Sequence, residues 1–189
     1  MNMKRIIIIA AMALMSVSAF AQKFAYVDFN ELVMLVPEMD EARATIEENS
    51  KTNEEILMTM YEEYQSKVQQ YEQKVSTWTQ SVREIKEKEI MDIQSRLEQT
   101  QQTLQQELQQ LQQQLQAPIV EKVNNVVNEL AKTYGVVAVF EKSSFLYVDE
   151  TQMLNLTPEA RTALNIPEGR TLETLQAEMM AKAQTAQGM

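Results

Sequence analysis

The sequence predicts a mainly helical α+β fold, in which a long antiparallel helical hairpin of coiled-coil type projects from a small β-containing oligomerisation body. Three observations predict it. No Pro or Gly occurs between Pro37 and Pro118, a span of 80 residues filled with Glu, Gln, Lys, Leu, Met and Ala, which are good helix formers. Within that span the apolar residues recur in steps of mainly three and four, the mark of a heptad stripe. Short strand-like pieces flank it on both sides.

Composition narrows the chemistry. The 189 residues include 17 Lys+Arg against 27 Asp+Glu, no His and no Cys, for a formal charge of −10. Ser-His and Cys-His nucleophiles are therefore excluded, as are the usual zinc ligand sets. Only Gly135, Gly169 and Gly188 are glycines, too few for a glycine-rich phosphate cradle. Acidic pairs recur all along the span, so none stands out for acid–base work. The expectation is a binding or structural protein, not an enzyme, with no metal site.

Taken in order, residues 1–21 read as an export signal. Lys4 and Arg5 form a positive start, residues 6–15 an apolar run, and Ala19-Phe20-Ala21 the small-x-small pattern of a cleavage site. The apolar run is about half the roughly 20 residues that a membrane span needs, so cleavage is expected before Gln22. The remaining chain carries 15 basic and 27 acidic residues, a net of −12, which argues against a nucleic-acid partner.

Residues 22–37 and 118–189 form the expected body and residues 38–117 the arm. The body opens with the strand Phe24-Ala25-Tyr26-Val27-Asp28-Phe29 and a turn of helix over residues 30–36. Two further strands are expected at Val136-Val137-Ala138-Val139-Phe140 and Phe145-Leu146-Tyr147-Val148, joined as a hairpin by Glu141-Lys142-Ser143-Ser144. Gly135 stands where a helix C-terminus needs positive φ. Thr157-Pro158-Glu159 reads as an N-cap with Pro at the first helical position, Pro167-Glu168-Gly169 as a turn, and Leu172, Leu175 and Met179 as a short amphipathic helix. So small a body is marginal alone, and its strand edges invite pairing. Tyr26, Val27, Phe29, Val123, Val127, Val137 and Val139 are the candidates for its oligomerisation surface.

One straight helix over the arm would reach about 120 Å, whereas a hairpin has two limbs of about 60 Å each. Facing residues of an antiparallel hairpin have position numbers with a constant sum. Trp78 with Val82 and Val75 with Ile85 give 160; Tyr71 with Ile90, Tyr64 with Leu97, Leu57 with Leu104 and Ala42 with Ile119 give 161. The fold-back is thus expected near residue 80, with Ser81-Val82-Arg83-Glu84 as a capping box that restarts the helix. The step of five from Ile85 to Ile90 breaks the heptad just past the tip.

A strand, a long helical hairpin, a return into strands and a Leu-Thr-Pro-Glu-type tail, in that order, resemble the Skp/OmpH family of periplasmic chaperones. Phe24-Ala25-Tyr26-Val27-Asp28-Phe29-Asn30-Glu31-Leu32 is similar to the family's opening strand and helix. Pro118-Ile119-Val120-Glu121-Lys122-Val123 and Tyr134-Gly135-Val136-Val137-Ala138-Val139-Phe140 are similar to its return into the body; Leu146-Tyr147-Val148 and Leu154-Asn155-Leu156-Thr157 complete it. The resemblance implies a periplasmic homotrimer whose arms enclose unfolded outer-membrane β-barrel proteins, with no ATP or cofactor. The familiar members are basic and this arm is not: residues 38–117 carry 16 acidic and 8 basic groups. Direct lipid or lipopolysaccharide binding is therefore not carried over.

With that resemblance, Tyr61, Tyr64, Tyr71 and Trp78 become candidates for client contact, since two helices cannot fully bury such rings. Leu108 and Leu111 face Asn53 and Ser50 by the same sums, so they either mark a loose seam or look into the cavity. Gln supplies 12 of the 23 residues from 94 to 116, a solvated face that also suits a wall without sequence preference. The rival reading is a passive coiled-coil tether or spacer of the envelope.

Overall fold

The computed structural model describes residues 23–187; the expected signal peptide and its cleavage site lie outside the described residues. The elements are β1 (Phe24–Val27), α1 (Phe29–Leu35), α2 (Pro37–Lys74), α3 (Gln80–Tyr134), β2 (Ala138–Glu141), a 3-10 turn (Lys142–Ser144), β3 (Met153–Asn155), α4 (Thr157–Ala163) and α5 (Leu172–Gln187). Among the described residues no helix is long and apolar enough to cross a membrane.

α2 and α3, of 38 and 55 residues, run antiparallel, so the fold class and the hairpin hold. Ion pairs cross between them at Glu63–Arg96 (3.0 Å) and Lys67–Glu89 (3.9 Å), and Glu38 meets Lys122 at the root. These three pairs have position numbers adding to 159, 156 and 160, close to the 160–161 expected of facing residues, since long side chains also reach across to neighbours of the facing position. The tip is a loop, in which residues 75–79 leave the helices before Gln80. Thr79, not Ser81, caps α3: its hydroxyl accepts from the Val82 amide at 3.4 Å. Trp78 is therefore a loop residue and has no facing helical partner. The break between Ile85 and Ile90 also finds its cause here. Ile85 turns outward, and the seam is taken over by Glu89, held by Lys86 at 2.8 Å and by Lys67.

α3 continues unbroken through Pro118 to Tyr134. The proline lacks the amide that would bond one turn back, but Ile119, Val123 and Val127 directly after it are buried. Gly135 ends the helix at φ 63°, ψ 37°, the left-handed conformation anticipated for it. The chain then re-enters the sheet, where the Val137 amide donates to the Lys23 carbonyl at 2.9 Å.

The sheet has the order β2-β1-β3, all parallel, with Phe24 opposite Ala138 and Met153. Parallel neighbours need a crossover between them, and the crossover from β1 to β2 is the entire arm. This topology overturns the hairpin expected over residues 136–148. Phe145-Leu146-Tyr147-Val148 is not a strand; β3 lies further on. The Glu141 carboxylate accepts from the Phe29 amide at 2.8 Å, and the 3-10 turn that follows carries the chain away rather than back along β2. Leu146 and Tyr147 are left exposed.

The core gathers β1, α1, the root of the arm and the tail. Leu32, Leu35, Val36, Val123, Ala160 and Leu164 are wholly buried in it. Asp28 caps α1 by accepting from Glu31, while its own amide donates to the Thr157 hydroxyl at 3.0 Å. Thr157 thus ties the tail to β1 instead of capping α4, whose N-cap position falls to Leu156. Of the expected amphipathic stripe of α5 only Leu175 is buried. Arg170 fixes that helix to the arm root through Asp40 at 2.6 Å.

The Glu38–Lys122 contact makes a pH prediction. The hydrogen bond from Lys122, then the Glu38 backbone amide, hold the Glu38 carboxyl below its ordinary value. A depressed carboxylate stabilises the fold above its unfolded pKa of about 4.3, and that contribution drains away as pH falls through the lowered folded value. Both side chains are about two-fifths exposed, so solvent screening keeps the effect at a fraction of a kcal/mol. Glu38→Gln should lower the thermal midpoint at pH 7, and the gap to wild type should close by about pH 3.

Candidate functional site

Two surfaces stand out. The first is the arm. At its tip the Tyr71 ring meets Trp78 edge-on with centroids 5.9 Å apart. Its hydroxyl donates to the Glu87 carboxylate on α3, and that hydrogen bond, ahead of desolvation, raises the Tyr71 pKa. The Arg83 Nε donates to the Trp78 carbonyl at 3.2 Å. Tyr71 and Trp78 are half-buried and bound to each other and to the hairpin. Tyr64, also half-buried, stacks on Tyr61 with centroids 6.4 Å apart. Tyr61 alone of the four aromatic candidates is open, at 49% exposure. Leu108 and Leu111 lie half-buried on α3.

Three residues that sequence reasoning passed over, and Ile85, which it had placed in the seam opposite Val75, are more open than most of the candidates it chose. Met58 is 62% exposed, Met91 67%, Ile85 57% and Ile56 41%. The heptad pattern contained a clue to three of them. Successive helical residues lie about 100° apart, so Ile56 and Met58, on either side of Leu57, and Met91, beside Ile90, cannot share the seam with those neighbours. Searching for apolar residues in phase with the stripe finds the seam; those out of phase line the surface.

Met58 and Tyr61 join Glu54, Leu57, Leu97 and Gln101 around an open groove of about 350 Å³ between the two helices. Met58 has Glu54 and Glu55 four and three residues before it, and Tyr61 and Glu62 three and four after it. These are its neighbours on the helix surface, so the apolar spot is ringed by carboxylates. Several of the arm's basic groups are engaged: Arg43 with Asp40, Arg96 with Glu63, Lys86 and Lys67 with Glu89.

The second surface is the free edge of the sheet. A groove of about 510 Å³ runs between β2 and the end of α3 and is lined by Val27, Phe29, Val127, Val137, Val139 and Phe140, among others. It brings together five of the seven oligomerisation candidates. Val137 is 60% exposed and Phe140 also lies open, with the Phe24 and Phe145 rings packed on either side of Phe140. Tyr26, Val27, Val123 and Val127 are buried inside the single chain, which leaves Phe29, Val137 and Val139 as the candidates with open surface. The Tyr26 hydroxyl donates to Glu150 at 3.3 Å, and burial, with that carboxylate, pushes its pKa up.

Neither surface collects a catalytic constellation. Among the described residues no group of three or more His, Cys, Asp or Glu is placed to hold a metal ion. What the chain presents is apolar area along an acidic rod and at an open strand edge. The sequence model of the family described as outer membrane protein (OmpH-like) matches residues 23–164, from β1 through α4. No curated protein matches the chain.

Proposed function

The chain belongs to the OmpH-like outer membrane protein family, and from that premise we propose that it is an ATP-independent holdase chaperone of the periplasm. Three copies share one body, their arms enclose a cavity, and unfolded outer-membrane β-barrel proteins are held there. The observation that carries this reading is the set of large apolar side chains left open on the arm, Met58, Tyr61, Ile85 and Met91. A rod that merely spans a distance gains nothing from them, whereas a client-binding arm needs them. Each contact is weak, and several arms around one client multiply the weak contacts through high effective concentration. The open groove beside β2 supports the shared body, because burying Phe29, Val137 and Val139 against another copy would cover an unpaired strand edge.

The mature protein should keep an unfolded β-barrel protein soluble after dilution from urea, without nucleotide. Light scattering by the client is the measurement, and aggregation unchanged by a molar excess of the protein overturns the reading. Small-angle scattering tests the spacer alternative, which requires an extended rod rather than a body with splayed arms.

A further inference from the structure

We propose, resting on the holdase reading, that the arm selects unfolded chains of net positive charge. Their apolar side chains enter the groove of Leu57, Met58, Tyr61 and Leu97, and the carboxylates around it hold neighbouring Lys and Arg. Charge complementarity chooses this occupant. From Glu47 to Glu63 the arm has six acidic residues, and Lys51 is the one basic residue. Glu63 is paired with Arg96 and Glu47 reaches Lys182 at 3.8 Å. Glu48, Glu54, Glu55 and Glu62 form no ion pair among the described residues and are all exposed. The facing stretch of α3 from Leu97 to Leu108 adds Glu98 and Glu107 and no cation. A client segment that leaves water for this groove therefore meets several negative charges within a Debye length of about 8 Å. An anionic segment is repelled there, and a cationic one exchanges hydration for weak ion pairs at no cost in arm structure.

Mature protein would be titrated with two fluorescent unfolded peptides of equal length and apolar content, one bearing Lys and the other Glu at the same positions. The Lys peptide should bind about tenfold more tightly at about 0.05 M salt, the sum of several exposed pairs. The difference should collapse at about 0.5 M, where the screening length falls to about 4 Å. It should also collapse in E54Q/E55Q/E62Q, whose exposed positions leave the helix intact by circular dichroism. Equal binding of both peptides, or tighter binding of the Glu peptide, overturns charge selection while leaving the holdase reading standing. Binding of neither peptide, with no protection of an unfolded β-barrel protein, overturns both.

Discussion

Replacing Leu32 with Ala is expected to remove about 2–5 kcal/mol of folding stability, the range for large-to-small changes in a packed core. Leu32 is 0% exposed and belongs to the cluster that includes Leu35, Val36, Val123, Ala160 and Leu164. It lies where β1, the arm root and the tail converge, among packed side chains of several elements. For a domain whose whole stability is about 5–15 kcal/mol, such a loss is large. Urea unfolding at fixed protein concentration measures it, since association would make the midpoint depend on concentration. A change below about 1 kcal/mol would show that the site relaxes and that the core is not centred there.

Changing Met58, Tyr61 and Met91 together to Ser should abolish most of the suppression of client aggregation while helicity stays as in wild type. Full burial of a Met or aromatic side chain is worth about 1.5–3 kcal/mol. With one third to one half of each surface already covered, about 3 kcal/mol in all is at stake even at the low end of that range, or roughly 150-fold in affinity per arm. Avidity among arms enlarges the loss. Trp78→Ala supplies the contrast. It removes the edge contact with Tyr71, worth about 0.5–1.5 kcal/mol beyond burial, and should lower the unfolding midpoint more than it weakens client binding. If the Trp78 variant loses protection and the triple variant keeps it, the client-binding surface lies at the tip and not along the arm.

The two variants also measure how far the candidate site could be read in advance. Tyr61 was chosen as a candidate and is open. Tyr71 and Trp78 were chosen by the same argument, that a pair of helices cannot cover large rings, yet they cover each other because the tip loop folds Trp78 back onto Tyr71. Met58 and Met91 were missed because periodicity finds residues that agree with one another, and these two stand out of phase with the stripe; Ile85 was in phase and assigned to the seam opposite Val75, yet it lies open. At the free sheet edge five of seven candidates converge on one groove. The mainly β-branched run Val136-Val137-Ala138-Val139-Phe140 after Gly135 was enough to mark a strand there, although not which neighbour it would take.

By itself the sequence determined what depends on local chemistry. Eighty residues without Pro or Gly make helix everywhere but at the tip, residues 75–79, Gly135 ends the second helix at positive φ, and steps of three and four choose most of the buried face. Apolar stripes in both limbs make the fold-back favourable. Only the tertiary structure decided what depends on residues far apart meeting. The Glu141 carboxylate at the end of β2 accepts from the Phe29 amide, β1 took Met153–Asn155 as its second parallel neighbour, and the Thr157 hydroxyl accepts from the Asp28 amide instead of capping its own helix. The physical reason is that a local pattern records which face of a segment avoids water, and several partners satisfy that need equally well. The choice among them is made by hydrogen bonds between residues more than a hundred positions apart, which no periodicity encodes.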